Sequence, residues 1–233
     1  WGWRAVFLIL SLFSFMCLFM VYKALPETRQ PDPSIKMRNT FKTYLQILSH
    51  RPFLGYALSS GFGSAGLFAY ITGSPAIIMG HFGVSAQHYG WIFSTNAIGL
   101  IGLSQFNRVL LRKYHPNTLL MWSYRLLTIF GFLLALIGIL DLGLIPLLVI
   151  LFFFLALIGI INPNASAGAL AEHGKTAGSA SALLGTIQFM AAAVSSAAVS
   201  HWHTGNALPM TIVMATAGLL ALTVYSFLVT KNS

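Results

Sequence analysis

Apolar residues run along this chain in seven long blocks separated by short polar gaps, and none of the blocks alternates with a period of two. The blocks fall at Arg4 to Leu25, Phe53 to Met79, Tyr89 to Leu111, Asn117 to Leu140, Leu144 to Leu170, Ala177 to Ser200 and Pro209 to Val229. A helix needs about 20 residues to cross a hydrocarbon core, at about 1.5 Å rise per residue. In lipid every backbone N–H and C=O needs an internal partner, so only helices and closed barrels span. A barrel strand would alternate, whereas Leu147 to Ile161 is apolar throughout. The pattern predicts an all-α polytopic membrane protein with seven transmembrane helices.

Composition sharpens this. With 57% hydrophobic and 7% charged residues, the chain lacks the charge that a soluble domain of 233 residues needs for its surface. The charges present are asymmetrically placed. Lys23, Arg29, Lys36, Arg38, Lys42 and Arg51 lie between the first two blocks, Arg108, Arg112 and Lys113 around the third gap, Lys175 in the fifth, and Lys231 in the tail. The gaps His81 to His88, Asp141 to Gly143 and His201 to Leu208 hold no Lys or Arg. By the positive-inside rule the basic gaps are cytoplasmic, which puts the amino terminus outside and the carboxyl terminus inside. The net charge of +9 is thus a topology signal, and nucleic-acid binding is set aside. The opening Trp1-Gly2-Trp3-Arg4 has no initiator Met and no basic stretch before a cleavage site, so it reads as a fragment rather than a signal peptide. The single Cys17 excludes an intrachain disulfide.

Three units follow: an isolated helix over residues 1–25, a cytoplasmic linker over 26–52, and a six-helix block over 53–230. Prolines 26, 31 and 33 stop the first helix. From Met37, Phe41, Tyr44, Leu45 and Leu48 recur at helical spacing opposite Lys36, Arg38, Lys42 and Gln46. That pattern suits either an amphipathic helix on the membrane face or a tether solvated by its charges.

Several motifs carry a resemblance. A span opened by Gly2-Trp3-Arg4 and closed by Ala24-Leu25-Pro26-Glu27-Thr28, then a basic loop and six spans, resembles the sixth helix, central loop and carboxyl-terminal half of a twelve-helix major facilitator transporter. Tyr89-Gly90-Trp91-Ile92-Phe93 with Asn96-Ala97, Ser104 to Arg108, Asn162-Pro163-Asn164-Ala165, and Ala177 to Gly185 with Gln188 are similar to the bicyclomycin-resistance (Bcr/CflA) group of drug:proton antiporters. This resemblance implies a non-enzymatic exporter without a cofactor or metal, in a bacterial inner membrane. It would exchange a lipophilic drug for protons by alternating access.

Transporter halves built from inverted three-helix repeats carry interrupted helices at corresponding places. Pro75 and Pro163 each fall late in the first helix of a triplet, Pro75 toward the outer face and Pro163 toward the inner. Polar groups inside spans are costly and face a partner helix or a wet cavity. Asn96, Asn162, Asn164 and Gln188, with Phe68 and Tyr70 as aromatic walls, are the candidate substrate-binding residues. Each has a rival role in helix–helix hydrogen bonding or core packing. Asn107-Arg108 with Arg112 resembles a degenerate facilitator gate, with Asn in place of the carboxylate, or serves only as topology-fixing charge. Small residues four apart in the sixth block, such as Gly178 and Ala182 or Ser181 and Gly185, let helices approach closely.

Proton coupling needs a group that titrates within the membrane, and no block contains a carboxylate: Glu27, Asp32, Asp141 and Glu172 fall in loops or at helix ends. Arg125, inside the fourth block, has no acid nearby in sequence and would snorkel to the interface. In the resembling family the proton carboxylate sits in the amino-terminal half. This chain is therefore expected to be part of a proton-coupled multidrug exporter, partnered by the lipid bilayer, a small lipophilic substrate, protons and an amino-terminal half, and inactive alone. Metabolite export and a non-transporting seven-helix receptor or scaffold are the alternatives. A retinal protein is excluded, since the last block has no Lys for a Schiff base.

Overall fold

The computed structural model describes residues 3–26, 37–202 and 205–230. Glu27, Arg29, Pro31, Asp32, Pro33, Lys36, His203 and Lys231 lie outside that range. Among the described residues the chain is α-helical, without a strand. The helices are α1 (Trp3–Ala24), α2 (Met37–Ser49), α3 (Arg51–Pro75), α4 (Ala86–Leu110), α5 (Pro116–Leu140), α6 (Leu144–Leu170), α7 (Ala177–His201) and α8 (Leu208–Leu228). Contacts divide the chain into two units, Trp1–Asn39 and Thr40–Ser233. In the first, α1 is apolar along its length and has no buried residue.

Local chemistry sets the helix ends. His50 caps α3 by accepting from the Phe53 N–H, Ser85 caps α4 through the His88 N–H, and His115 caps α5 through the Asn117 N–H. Pro52 and Pro116 occupy first-turn positions, where the missing N–H costs nothing. Asp141 ends α5 in the left-handed region, at φ 47°.

Six described helices, α1, α3, α5, α6, α7 and α8, are long and apolar enough to cross a membrane. The seventh expected span, α4, has 25 residues but carries Gln87, His88, Asn96, Gln105, Asn107 and Arg108, which lower its apolarity. It nevertheless runs beside the strongly apolar α6: Gly99 lies against Phe152, Gly159 against Leu100, and Asn107 against Asn164.

The second unit has an internal symmetry. α3 packs on α6, α7 and α8; α6 packs also on α4 and α5; α5 packs on α8. Exchanging α3 with α6, α4 with α7 and α5 with α8 maps these principal pairs onto themselves, while the slighter α6–α7 and α7–α8 contacts have no counterpart of that size. Directions agree as well. α3 and α6 are antiparallel, with Tyr56 against Gly168 and Gly66 against Phe154. α3 and α7 are parallel, like α4 and α6, with Gly61 against Ile187 and Gly73 against Val199. This is the arrangement of inverted three-helix repeats.

α3 and α6 form the core. Ala57, Ala69, Tyr70, Leu151, Phe154 and Ile158 are at most 2% exposed. α4 and α7 are flanks, each buried along one narrow stripe: Asn96, Gly99 and Asn107 on α4, and Ala180, Leu184, Ala192, Ser195 and Val199 on α7. At the end of the block that holds the α4–α5 turn, a tyrosine cluster ties three helices together. Tyr56 donates to Asn117 Oδ1 at 2.7 Å, Tyr124 to Ser59 Oγ at 2.9 Å, and Tyr225 to the Asn117 carbonyl at 3.2 Å.

Candidate functional site

Tyr89, Phe93 and Asn96 stand one helical turn apart on α4 and so share the face turned to α3. Across from them are Tyr70 and Ser74 of α3. Asn96 Nδ2 donates to the Tyr70 hydroxyl at 3.0 Å, and both residues are buried. The Tyr70 and Phe93 rings stack at 5.9 Å with an interplanar angle of 18°. Tyr89 OH and Ser74 Oγ share a hydrogen bond of 2.9 Å.

Asn96 of this cluster lines two open apolar grooves. One, of about 220 Å³, is lined by Leu67, Tyr70, Ile71, Phe93, Asn96 and Leu155 among others. The second, of about 500 Å³, is lined by Trp91, Thr95, Asn96, Val149, Phe152 and Phe153 among others. Asn96 is the residue common to both linings. An amide with donors and an acceptor on otherwise apolar walls is the usual makeup of a small-molecule pocket.

The other expected substrate residues lie elsewhere. Asn164 is buried; its Nδ2 donates to Asn107 Oδ1 and to the Ile160 carbonyl, both at 2.8 Å. It therefore joins α6 to α4 in the half of the bundle away from Tyr70. Gln188 Nε2 donates to Ser60 Oγ at 3.1 Å and joins α7 to α3. Phe68 meets Phe189 of α7 edge to face at 6.2 Å. Asn162 has a buried Oδ1 without a hydrogen-bond partner. None of these four residues lines either cavity beside Asn96.

Both interrupted helices continue past their prolines. After Pro75, α3 passes into a π-helical segment, Ala76–His81. π-segments of this kind often mark functional sites. Pro163 lies inside α6 and removes the N–H that would bond the Gly159 carbonyl. One residue on, the Asn164 side chain binds the Ile160 carbonyl. The gate candidates divide in the same way: Asn107 is buried on Asn164, while Arg108 and Arg112 are exposed. The two carboxylate contacts to basic side chains among the described residues are His50–Glu172 at 3.2 Å and His81–Asp141 at 3.6 Å, so neither arginine has a carboxylate partner there.

Sequence reasoning passed over Ser74, Tyr89 and Phe93 as site residues. The signal was present in the spacing of Tyr89, Phe93 and Asn96, which puts two aromatics and an amide on one helical stripe.

Comparison with known proteins agrees with this architecture. Residues 1–196 match the profile of the Major Facilitator Superfamily. The chain is 28% identical over 232 residues to the bicyclomycin resistance protein homolog of Haemophilus influenzae, covering 99% of this chain and 58% of that protein. It is 27% identical over 218 residues to the uncharacterized MFS-type transporter YdgK of Bacillus subtilis, covering 91% of this chain and 53% of the relative. Over 115 residues it is 30% identical to the multidrug transporter MdfA of Edwardsiella piscicida, covering 49% of this chain and 28% of that one. The chain thus spans little more than half the length of the first two relatives.

Proposed function

Given that the chain belongs to the Major Facilitator Superfamily, we propose that it forms the carboxyl-terminal portion of a proton-coupled exporter of lipophilic drugs. The observation that carries this reading is the Asn96–Tyr70 cluster, whose Asn96 lines two apolar grooves, set within a block whose principal helix pairs repeat by inversion. Relatives named for bicyclomycin and multidrug resistance supply the substrate class. In this reading α1 completes an amino-terminal half, residues 26–52 link the halves, and the six-helix block closes against a partner half of the same kind. The small-residue faces of α4 and α7 suit such closure: a Cβ added at Gly90, Gly102, Gly178 or Gly185 would meet no neighbouring helix within 4 Å. The basic gaps are assigned to the cytoplasm of a bacterial inner membrane, the start of α1 to the outside and the carboxyl end to the inside.

Substrate contact is assigned first to Tyr70, Phe93 and Asn96. Phe68 is assigned to the surface that meets the other half, and Asn162, whose unpartnered oxygen is buried within this chain, is assigned no substrate contact. Asn164 and Gln188 hold helices together. Asn107 acts through Asn164 and not as a gate, and Arg108 and Arg112 act as surface charge. The proton carboxylate is assigned to the amino-terminal half, because Asp141 and Glu172 sit at the ends of α5 and α6.

The test is drug efflux from proteoliposomes under an imposed proton gradient. Residues 1–233 alone are expected to give none. The same chain joined to the part of the Haemophilus influenzae relative that precedes the segment matching α1 is expected to restore it. Efflux by the chain alone would refute the division of labour, and a silent chimera that inserts and folds would count against the drug-exporter reading.

A further inference from the structure

Arg125 is the one charge within a spanning helix of the six-helix block that the transport reading leaves without a task. It is exposed on α5, on a face otherwise made of Trp122, Leu126, Ile129, Phe132 and Leu133. Such a face belongs to the acyl chains, and a guanidinium there needs an anion. No described carboxylate is within ion-pair distance of it.

What surrounds Arg125 indicates the anion. From Asn117 to Arg125 the helix rises about 12 Å, and helical side chains tilt toward the helix amino terminus. For α5 that end carries the α4–α5 turn, with exposed Arg112 and Lys113. Trp122 lies one turn below Arg125 and meets Tyr114 of that turn edge to face, with ring centres 5.4 Å apart. Lys113 Nζ lies 5.6 Å from the centre of the Tyr114 ring. A continuous strip of cation, two interfacial aromatics and guanidinium therefore leads from the turn into the membrane. Beside it is a groove of about 260 Å³ lined by Met121, Trp122, Tyr225 and Val229, with Asn117 and Thr118 at its polar end. Aromatics of this kind seat at the headgroup level, and clustered basic residues next to a span attract anionic lipid.

We propose that this strip binds one anionic phospholipid, its phosphate on Arg125, its charge balanced by Lys113 and Arg112, its headgroup over the groove beside Trp122 and its acyl chains running deeper along exposed Leu126, Ile129 and Phe132. A zwitterionic lipid would place an ammonium among these cations and lose the advantage.

Trp122 is a built-in reporter. The full chain is placed in nanodiscs of mixed phosphatidylglycerol and phosphatidylcholine, with bromine on the chains of one lipid or the other. The Trp122 signal is taken as the difference from Trp122→Phe. Brominated phosphatidylglycerol is expected to quench it with an apparent lipid preference of about fivefold or more, the factor one basic residue near the surface supplies. Arg125→Gln should bring the preference close to one, Arg125→Lys should keep most of it, and Arg112→Gln with Lys113→Gln should lower it partway. Equal quenching by the two lipids in the unaltered chain would overturn the proposal. So would a preference that survives Arg125→Gln but vanishes in the Arg112/Lys113 double variant, since the turn alone would then hold the lipid.

Discussion

The seam between α4 and α6 and its symmetry mate between α7 and α3 join equivalent helices by different means. In the α4–α6 seam the backbones touch. A Cβ on Gly159 would overlap the Leu100 carbonyl oxygen and lie 2.9 Å from the Ser104 nitrogen. The polar link is one buried amide pair, Asn164 on Asn107. In the α3–α7 seam the approach is looser: a Cβ on Gly61 would lie 3.3 Å from the Ile187 methyl and 3.6 Å from the Ile187 carbonyl oxygen. Its links are several and partly exposed, with Gln188 to Ser60, Thr72 to Ser196 at 2.9 Å, and Ser195 to the Ala65 carbonyl at 2.8 Å. A single buried link fails completely when removed, whereas distributed half-wet links can be exchanged for water or for one another. Inversion therefore preserves which helices pair without preserving the chemistry that joins them.

Substitutions separate the two seams, and thermal unfolding of the purified chain in detergent reads the difference. Gly159→Leu forces α4 away from α6 and should cost about 3 kcal/mol, with loss of a monodisperse species as the extreme outcome. Asn164→Leu leaves Asn107 buried and unpaired, for about 2 kcal/mol; adding Asn107→Leu should restore part of it, which a double-mutant cycle would detect. Gln188→Leu or Thr72→Val should cost about 0.6 kcal/mol, the usual worth of one hydrogen bond between membrane helices. Gly185→Ala, on the exposed face of α7, should be neutral or slightly stabilising in this chain, by about 0.5 kcal/mol. If the Gln188 variant proved as damaging as the Asn164 variant, the contrast between the seams would fail.

Much of this architecture is legible in the chain itself. Span length and apolarity are local properties, so Leu144–Leu170 appears in the structure with the bounds its apolar block predicts. α4 is the instructive element, because the polar residues that weaken its membrane signal, Asn96 and Asn107, are those that fasten it to α3 and α6. Side-chain partnership is less legible. Asn162 and Asn164 stand two residues apart, about 200° around a helix, so a shared motif cannot give them a shared cavity. Phe68 and Tyr70 are separated in the same way, and the structure sends one to α7 and the other to α4. A hydropathy pattern gives the depth of a polar residue but not the helix that will meet it. The link from Asn164 to Asn107, rather than to Asn96, depends on the register between α4 and α6, which the Gly159 contact sets.

The most direct measurement compares Asn96→Leu with Asn164→Leu in the chain joined to the part of a relative that precedes the segment matching α1, recording efflux of a panel of lipophilic compounds beside the amount of folded protein. If Asn96 is a substrate contact and Asn164 only a fastener, Asn96→Leu should change the efflux pattern of the protein that folds, beyond the loss of protein that breaking the Asn96–Tyr70 link brings. Asn164→Leu should reduce the protein level and leave the pattern of the remainder intact. An unchanged pattern for Asn96→Leu, with a changed pattern for fully expressed Asn164→Leu, would contradict the assignment and move the site to the α4–α6 seam.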